Sequence, residues 1–341
     1  MRQMFLGLCV CVSTVALSAK ETVWSGEKTV ADVVKLSGTD LRFAKGARIT
    51  FRGAGRLELL DGTLRAEGAA VGAEGVLTNA YRIKIVNGGL EFLRCRVKDV
   101  LSHEPVKGVS FFIGSIYSQT GGRGKLVDCE IENSSAIAFV NNSEVLVAGN
   151  VFTKPQPGVY LFNARGCRVA GNAFYGAPTE GLRLNGVQLS EVTDNRFLDC
   201  KKAMHLIGSR ECRFTGNSVF GGTTGFHLWS SGRRNLFAGN LFEDMTGPAF
   251  TAFAALGEET VFANNLVSRC GSGFQLPEQP EGRKIVLRDN AISEVSIGIL
   301  SSGGTVEAAC NAVWKAKHPF IERNGAKILR AGLVTADPKF R

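Results

Sequence analysis

The stretch Gly149-Asn150-Val151-Phe152 is the first copy of a phrase that the chain repeats eight times up to residue 313. Each copy places an apolar residue two positions after an Asn. The repeated Asn residues are Asn150, Asn172, Asn195, Asn217, Asn240, Asn265, Asn290 and Asn311. Successive members of this set are 22, 23, 22, 23, 25, 25 and 21 residues apart. A fixed period of this size indicates a solenoid of stacked coils.

Each coil of the regular region contains three strand-like pieces. In the coil that ends at Asn172 these pieces are Gly158–Leu161, Cys167–Val169 and Ala173–Phe174. Because side chains alternate between the two faces of a strand, one set points into the coil. The inward set is predicted to be Val159, Leu161, Val169 and Phe174.

The repeated Asn residues are predicted to form a structural ladder. An amide side chain both donates and accepts, so it can bond to the same amide in the coils above and below. The Gly that often precedes the Asn allows a sharp bend. Upstream, Cys95 and Cys129 are predicted to occupy the same ladder position. Their 34-residue separation indicates an insertion, assigned to loops around Ser102–Lys107 and Gly114–Gly124.

Residues 1–19 have the pattern of a secretory signal peptide, with Arg2 before an apolar run and Ser18-Ala19 as a small-residue cleavage site. The apolar run is too short to span a membrane, and no later stretch is long enough. We therefore expect a secreted or periplasmic protein. Removing Cys9 and Cys11 from the nine cysteines leaves seven, an odd number that cannot pair completely. Buried free thiols are favoured over a disulfide framework, which stays the alternative.

These phrases resemble the right-handed parallel β-helix family with the pectin-lyase-like fold. The resemblance covers nearly all of the chain after residue 19, and it implies an all-β, single-stranded right-handed parallel β-helix solenoid with about 22–25 residues per coil. The expected domain is residues 20–341, with an N-terminal cap and first coils over 20–60 and a C-terminal cap over 315–341. The family includes polysaccharide lyases, glycoside hydrolases, uronate epimerases and noncatalytic adhesins.

The family places its active groove on the outer face of the strand that here reads Gly158–Leu161. The outward position in this strand and in later coils is predicted to be an exposed strip of Tyr160, Arg183, His205, His227, Thr251 and Gln275, with Ala138 and Ser110 upstream. Flanking loops add Lys154, Lys201 and Lys202 as a basic rim for an anionic chain. Trp229 and Phe253 are each either an exposed sugar-stacking platform or packed under a loop. Packing under a loop is the favoured prediction.

This strip suits proton abstraction from a uronic acid. Such a reaction needs a base, a cation for the carboxylate and an acid for the leaving oxygen. His205 or His227 is the expected base, Arg183 the carboxylate partner, and Tyr160 the acid or an alternative base. Gln275 and Trp229 are expected to bind substrate. The net charge of +9 gives weak support to a polyanionic partner.

Several alternatives stay open from the sequence. The strip is equally explained as an ordinary polar surface, and a metal pair at the two His would lack a third protein ligand. A glycoside hydrolase needs two carboxylates across the bond, but the candidates are expected to be solvated loop residues: Glu180, Asp199, Glu243 and Asp244. A noncatalytic carbohydrate-binding or cell-surface solenoid is the main alternative to a lyase. No cofactor is expected, and calcium has no carboxylate cluster to support it. A monomer without nucleic-acid partners is expected.

Overall fold

The computed structural model describes residues 20–75, 77–78, 81–103, 114–229, 232–280 and 284–335. Over these ranges the chain consists of strands, turns and bends, with three long parallel sheets running the length of the molecule. The described residues contain no helix that is long and apolar enough to cross a membrane.

Each coil contributes one strand to each sheet, in the order sheet C, sheet A, sheet B. Sheet C has 13 strands: Val33–Ser37, Arg56–Leu60, Ile83–Val86, Ile116–Gln119, Ser135–Val140, Gln156–Phe162, Glu180–Asn185, Lys202–Ile207, Thr224–Leu228, Pro248–Ala252, Ser272–Leu276, Ile297–Ser301 and His318–Glu322. Sheet A has 14 strands: Lys20–Trp24, Thr39–Phe43, Leu64–Glu67, Leu90–Leu93, Gly124–Val127, Leu146–Ala148, Arg168–Ala170, Glu191–Thr193, Arg213–Thr215, Leu236–Ala238, Val261–Ala263, Lys284–Arg288, Thr305–Ala309 and Lys327–Ala331.

Sheet B has 13 strands: Glu27–Val30, Arg48–Arg52, Ala70–Glu74, Arg96–Lys98, Glu130–Glu132, Val151–Thr153, Ala173–Tyr175, Arg196–Leu198, Ser218–Phe220, Leu241–Glu243, Leu266–Ser268, Ala291–Ser293 and Ala312–Trp314. A short parallel pair, Leu77–Thr78 with Ser102–His103, lies outside the three sheets. The predicted parallel β-helix solenoid is therefore confirmed.

The predicted Asn ladder is present at the bend between sheets A and B. From Asn150 to Asn290, each side-chain Nδ2 donates to the Oδ1 of the Asn in the next coil, over distances of 2.8 to 3.0 Å. The residue before each Asn has a positive φ, for example 66° at Gly149 and 55° at Asp194. This backbone conformation favours Gly, Asn and Asp, which occupy this position in every case except Cys310.

Cysteine extends the ladder upstream, as predicted. The Cys129 backbone N–H donates to Asn150 Oδ1 at 2.9 Å, and the Cys95 N–H faces Cys129 Sγ at 3.3 Å. All seven cysteines of the described chain are free, and only Cys310 is exposed. The preference for free thiols over a disulfide framework is thereby confirmed for these residues.

The interior of the coils is a continuous apolar core that holds the sheets at fixed height. The predicted inward residues Val159, Leu161, Val169 and Phe174 are all buried. Aromatic rings stack in columns between coils, with centroids 4.6 Å apart for Phe152 and Phe174. This spacing is close to the roughly 4.8 Å between neighbouring strands, so each ring packs on its equivalent one coil away.

One detail of the predicted insertion is wrong. The range Gly114–Gly124 is not only loop, because it contains the sheet C strand Ile116–Gln119. Ser110, predicted to be in the outward column, lies outside the described residues. Tyr117 holds that position instead, paired with Ala138.

Candidate functional site

The outward column of sheet C has the register that the sequence predicts. Tyr160 pairs with Arg183 and Arg183 with His205 in consecutive coils. The column continues through His227 and Thr251 to Gln275. Parallel, in-register strands bring these side chains about 4.8 Å apart along the solenoid axis.

The column is not the exposed strip that was predicted. Tyr160 is 1% exposed, His205 6%, His227 7% and Thr251 6%. Large side chains at a spacing of one strand cover one another's faces and leave little room for solvent. Arg183 is the partly exposed member of the predicted catalytic set.

Tyr160 belongs to a second apolar cluster on the outer face of sheet C. It packs with Tyr117, Ala138 and Val140, and Phe162 lies against this cluster. Burial raises the pKa of the Tyr160 phenol, so the hydroxyl stays protonated at neutral pH. The Arg183 guanidinium carbon lies 5.7 Å from the centre of the Tyr160 ring. Tyr160 is therefore a covered neighbour of Arg183 rather than an exposed acid.

Glu180 is the site residue that sequence reasoning placed wrongly. It was expected to be a solvated loop residue, but it begins the strand Glu180–Asn185 and is 7% exposed. Its Oε1 lies 2.9 Å from His205 Nδ1 and 3.7 Å from Arg183 Nη2. The sequence contained a signal for this position. Counting from the ladder aligns Glu180 with Lys202, which was predicted to flank the column.

The surroundings of Glu180 favour its ionised form. Burial opposes ionisation, but the hydrogen bond from His205, the charges of Arg183 and Lys202, and the charge of His205 when it is protonated outweigh it and lower the pKa of the carboxyl. An ionised carboxylate at Nδ1 assigns the proton to that nitrogen. His205 Nε2 is then an acceptor, and it has no hydrogen-bond partner in the described part of the chain.

His227 is held in its neutral form. Burial, together with the charge of Lys202 and the charge that His205 carries when protonated, lowers the pKa of its imidazole to about 4, although Glu180 acts in the opposite direction. The His227 ring meets the His205 ring edge-on at 4.8 Å and stacks on Phe253 at 4.7 Å. Its Nε2 also lacks a hydrogen-bond partner among the described residues.

Trp229 and Phe253 form an exposed aromatic pair beside the column. They are 53% and 60% exposed, so the favoured prediction that they pack under a loop is wrong. Their ring centres are 5.7 Å apart and their planes differ by 27°. The Trp229 N–H donates to the Leu206 carbonyl, and the Phe253 N–H donates to the carbonyl of Leu228, the residue before Trp229. Trp229 and Phe253 therefore occupy the same position in consecutive coils.

A shallow cleft of about 290 Å³ opens next to this pair. It is lined by Lys201, Lys202, Thr223, Thr224, His227, Pro248, Thr251, Phe253 and Gln275. Three of the predicted substrate-binding residues, Lys201, Lys202 and Gln275, thus meet at one place. Lys154 does not line the cleft, since it lies in the turn before the strand Gln156–Phe162, two coils from the Asp199 turn.

The other candidate carboxylates lie apart from the strip. Glu243 and Asp244 are both paired with Arg269, and Asp199 lies in a turn with φ of 54°. Glu180 is thus the one acid of the four that contacts the column in the described structure. Over the same described ranges, no three His, Cys, Asp or Glu side chains come together in a way that could hold a metal ion.

Residues 87–242 match the family described as "Right handed beta helix region". The chain has the fold of a right-handed parallel β-helix. No curated protein matches it by sequence. Among solved structures, this β-helix protein is similar to the periplasmic alginate epimerase AlgG, with a TM-score of 0.54 and 12% identity over 93% of this chain and 79% of that chain.

A second similar structure is endopolygalacturonase I from Stereum purpureum, complexed with two galacturonate. Here the TM-score is 0.52 and the identity is 11%, over 89% of this chain and 95% of that chain. At these identities the likeness is one of fold, so the chemistry of this β-helix protein has to be argued from its own residues.

Proposed function

We propose that this β-helix protein binds an acidic polysaccharide along the outer face of sheet C and removes the C5 proton of a uronate residue. The observation that carries the proposal is the Glu180–His205 pair at 2.9 Å, which leaves His205 Nε2 as an unpartnered acceptor beside Arg183. The two similar structures support a uronate polymer, because one is named an alginate epimerase and the other is complexed with galacturonate.

The proposed chemistry assigns one task to each side chain. The Arg183 guanidinium binds the uronate carboxylate, which withdraws negative charge from the ring and makes the C5 proton more acidic. His205 Nε2 takes that proton, and the charge of Glu180 stabilises the imidazolium that forms. Glu180 acts through His205 and is therefore a positioning residue.

The fate of the C5 electron pair separates two outcomes. In elimination, the pair forms a C4–C5 double bond, the C4–O bond breaks, and the leaving oxygen takes a proton from the His205 imidazolium. In epimerisation, a water molecule on the opposite face donates a proton to C5, His205 passes the proton it took to solvent, and no bond to oxygen breaks. Elimination is the sharper hypothesis, and both reactions require the same base and the same carboxylate partner.

Other residues supply binding rather than chemistry in this proposal. Lys201 and Lys202 attract the anionic chain from the rim, with Lys154 further along the same edge. Trp229 offers its exposed ring, and Gln275 a polar contact at the far end of the cleft. The signal-like pattern of residues 1–19 supports export to the compartment where such polymers occur.

Noncatalytic polysaccharide binding is the second candidate. It is favoured by the enclosure of both Nε2 atoms, which have no exposed surface, whereas Trp229, Phe253 and the lysines are accessible. A binding protein would use that accessible part alone, without any proton transfer.

The test incubates the purified protein with a panel of polyuronates. Ultraviolet absorbance detects unsaturated products, and NMR in deuterated water detects C5 exchange. Elimination or epimerisation predicts a signal with at least one polymer that falls about 10³-fold in His205→Ala. The matched control is His318→Ala, because His318 is an exposed histidine five coils further along sheet C and should leave the rate unchanged.

Two results would overturn the catalytic proposal. One is turnover that survives His205→Ala. The other is tight binding of a polyuronate with neither unsaturated product nor deuterium at C5, which would assign the protein to the noncatalytic class. New reducing ends without unsaturation would point to hydrolysis.

A further inference from the structure

Cys95 and Cys129 are the one pair of cysteines that occupy the same position in consecutive coils of the described chain. Each residue directly precedes a strand of sheet B, and those strands pair Arg96 with Glu130 in parallel. The Glu130 N–H donates to the Cys95 carbonyl at 2.9 Å, which puts the two cysteines in register. Their Cα atoms are therefore separated by one strand spacing, roughly 4.8 Å. This separation lies within the roughly 4.4–6.8 Å that a disulfide spans.

The Cys129 sulfur already reaches across the gap between the two coils. It accepts the Cys95 N–H at 3.3 Å and lies 3.5 Å from the carbonyl oxygen of Phe92, which belongs to the same coil as Cys95. Both side chains are buried, and the two thiols hydrogen-bond to each other. We propose that this pair is an oxidation site, at which Cys95 and Cys129 form a disulfide between consecutive coils when the protein folds outside the reducing cytoplasm.

A covalent bond at this position reinforces the weakest part of the ladder. At Asn150 the backbone N–H and the side-chain Nδ2 both donate to the carboxamide oxygen of Asn172. Between Cys95 and Cys129 the acceptor is a sulfur, which accepts hydrogen bonds weakly. These two cysteines are also 34 residues apart, whereas successive ladder Asn residues are 21 to 25 apart. The bond therefore closes a longer loop than any other coil step of the ladder, and longer loops gain more from closure.

The oxidant in this proposal is an external disulfide, such as oxidised glutathione. Export, which the pattern of residues 1–19 predicts, brings the chain to a compartment that supplies one. One cysteine thiolate attacks the external disulfide, forms a mixed disulfide and releases the first external thiolate. The other cysteine then attacks the cysteine sulfur of the mixed disulfide, so the Cys95–Cys129 bond forms and the second external thiolate leaves. The two protons lost by the cysteines pass to the released thiolates, and the external disulfide gains the two electrons that the cysteines lose.

Cys95 is the expected attacking thiol. The hydrogen bond that the two thiols share is the main cause that lowers the pKa of Cys95 and raises the pKa of Cys129. Because the thiolate is the nucleophile, Cys95 attacks first. Both sulfurs are buried, so the exchange takes place before the coils close during folding. In the folded protein the bond is then shielded from reductants.

The other buried cysteines of the described chain lie too far apart for this reaction. Cys167 and Cys212 share a column, but Ser190 stands between them, so the two cysteines are two coils, or about 9.6 Å, apart. Cys200 and Cys270 share another bend at a distance of three coils. One bridge between Cys95 and Cys129 thus leaves these thiols unpaired.

The test refolds the reduced, denatured protein in a buffer of reduced and oxidised glutathione. The remaining thiols are alkylated in denaturant, and the digested protein is analysed by mass spectrometry. Among the cysteines after residue 19 we expect one cross-link, between the peptides that hold Cys95 and Cys129, lighter by two hydrogen atoms than the sum of its parts. The oxidised protein should unfold at a midpoint about 5 °C above the reduced protein, and this difference should disappear in Cys95→Ala.

Ser190→Cys is the matched variant. Ser190 is buried, and its Oγ accepts the Cys167 N–H at 2.9 Å. Cys129 Sγ makes the same contact with Cys95. A thiol at position 190 has a cysteine one coil away on each side, so we expect a second cross-link, to Cys167 or to Cys212, that the wild type lacks.

The proposal fails on either of two results. One is complete alkylation of both Cys95 and Cys129 at every glutathione ratio, with or without a cross-link in Ser190→Cys. The other is cross-linking that joins cysteines on distant coils indiscriminately, or that occurs only between molecules. Neither result bears on the polyuronate reaction, because turnover is measured on the reduced protein and uses neither cysteine.

Discussion

Glu180 and His205 lie one coil apart, and their contact shows how the solenoid builds a polar pair from distant sequence. The two residues are 25 positions apart in the chain, yet Oε1 and Nδ1 are 2.9 Å apart. Burial of both side chains lowers the local dielectric, so the hydrogen bond fixes the imidazole more strongly than it would on an open surface. The orientation of His205 thus depends on one carboxylate.

Replacing that carboxylate gives a prediction at the residue scale. In Glu180→Gln the amide keeps the shape of the side chain but loses the charge that stabilises the imidazolium. We expect kcat on the responsive polyuronate to fall about 10²-fold or more, with oligouronate affinity unchanged, because the Phe253 cleft is intact. A variant that loses binding and kcat together would instead indicate that Glu180 only supports the local fold.

A second residue-scale prediction concerns acid stability and His227. Its pKa is about 4 in the folded state and about 6.5 when unfolded, so the unfolded chain binds more protons between these values. Stability from this group is therefore present above pH 6.5 and is lost as the pH falls towards 4. The full shift corresponds to about 3 kcal/mol, which solvent near the cleft reduces to roughly 1–2 kcal/mol.

Denaturant unfolding of the wild type and His227→Phe at a series of pH values checks this expectation. The Phe ring retains the stacking on Phe253 and removes the titration. The free energy of unfolding should fall less steeply between pH 6.5 and 4.5 in the variant than in the wild type. The pKa of Glu180 is lowered from its ordinary value of 4.5. Protonation of Glu180 therefore changes the free energy of unfolding mainly below pH 4.5, outside most of this window. Parallel curves in the two proteins would contradict the assignment.

At the scale of the element, the Asn ladder fixes the height of every strand. Asn217 Nδ2 donates to Asn240 Oδ1 at 3.0 Å and to the Val192 carbonyl at 2.9 Å. Its Oδ1 accepts from both nitrogens of Asn195. A single side chain thus satisfies buried polar groups in three coils, so its loss is felt beyond its own bend.

Asn217→Ala tests this role. The substitution leaves buried donors and acceptors without partners, and we expect a loss of about 2–4 kcal/mol in the free energy of unfolding. Asn185→Ala is the matched control, because Asn185 is only partly buried and its amide makes a 3.5 Å contact with Tyr160 Oη. The control should cost about 0.5 kcal/mol or less. Equal losses of stability in the two variants would show that a ladder Asn contributes no more than a partly buried Asn outside the ladder.

At the scale of the whole molecule, each coil contacts chiefly the coils next to it. Stability in such a solenoid is close to a sum of coil and interface contributions. The Phe214–Phe237–Phe262 column illustrates the interface, with ring centres 4.7 and 4.8 Å apart. Damage at one coil is therefore expected to spread to its neighbours and to fade with distance.

Hydrogen exchange of Phe237→Ala measures that spread. Removing a buried ring costs about 3–5 kcal/mol, and protection should fall most in the strands Arg213–Thr215, Leu236–Ala238 and Val261–Ala263. The strands Arg48–Arg52 and Thr39–Phe43, many coils away, should retain theirs. A uniform rise in exchange along the chain would show that the solenoid unfolds as one cooperative unit.

The sequence by itself determined the architecture of this protein. The Asn period, the inward residues such as Val159 and Phe174, and the alignment of Arg183 with His205 all follow from a repeat that recurs at a nearly constant interval. Each coil repeats the same local chemistry, so counting from the ladder is enough to predict the register. The same count placed Cys95 and Cys129 in the ladder.

Only the tertiary structure decided what surrounds the column. Side chains that share a height can stand in solvent or cover one another, and strand alternation does not distinguish the two. It is packing between coils that buries Tyr160 and Glu180, leaves Trp229 and Phe253 exposed, and turns Glu180 towards His205. These outcomes depend on side-chain volumes and charges in adjacent coils, which lie more than 20 residues away in the sequence.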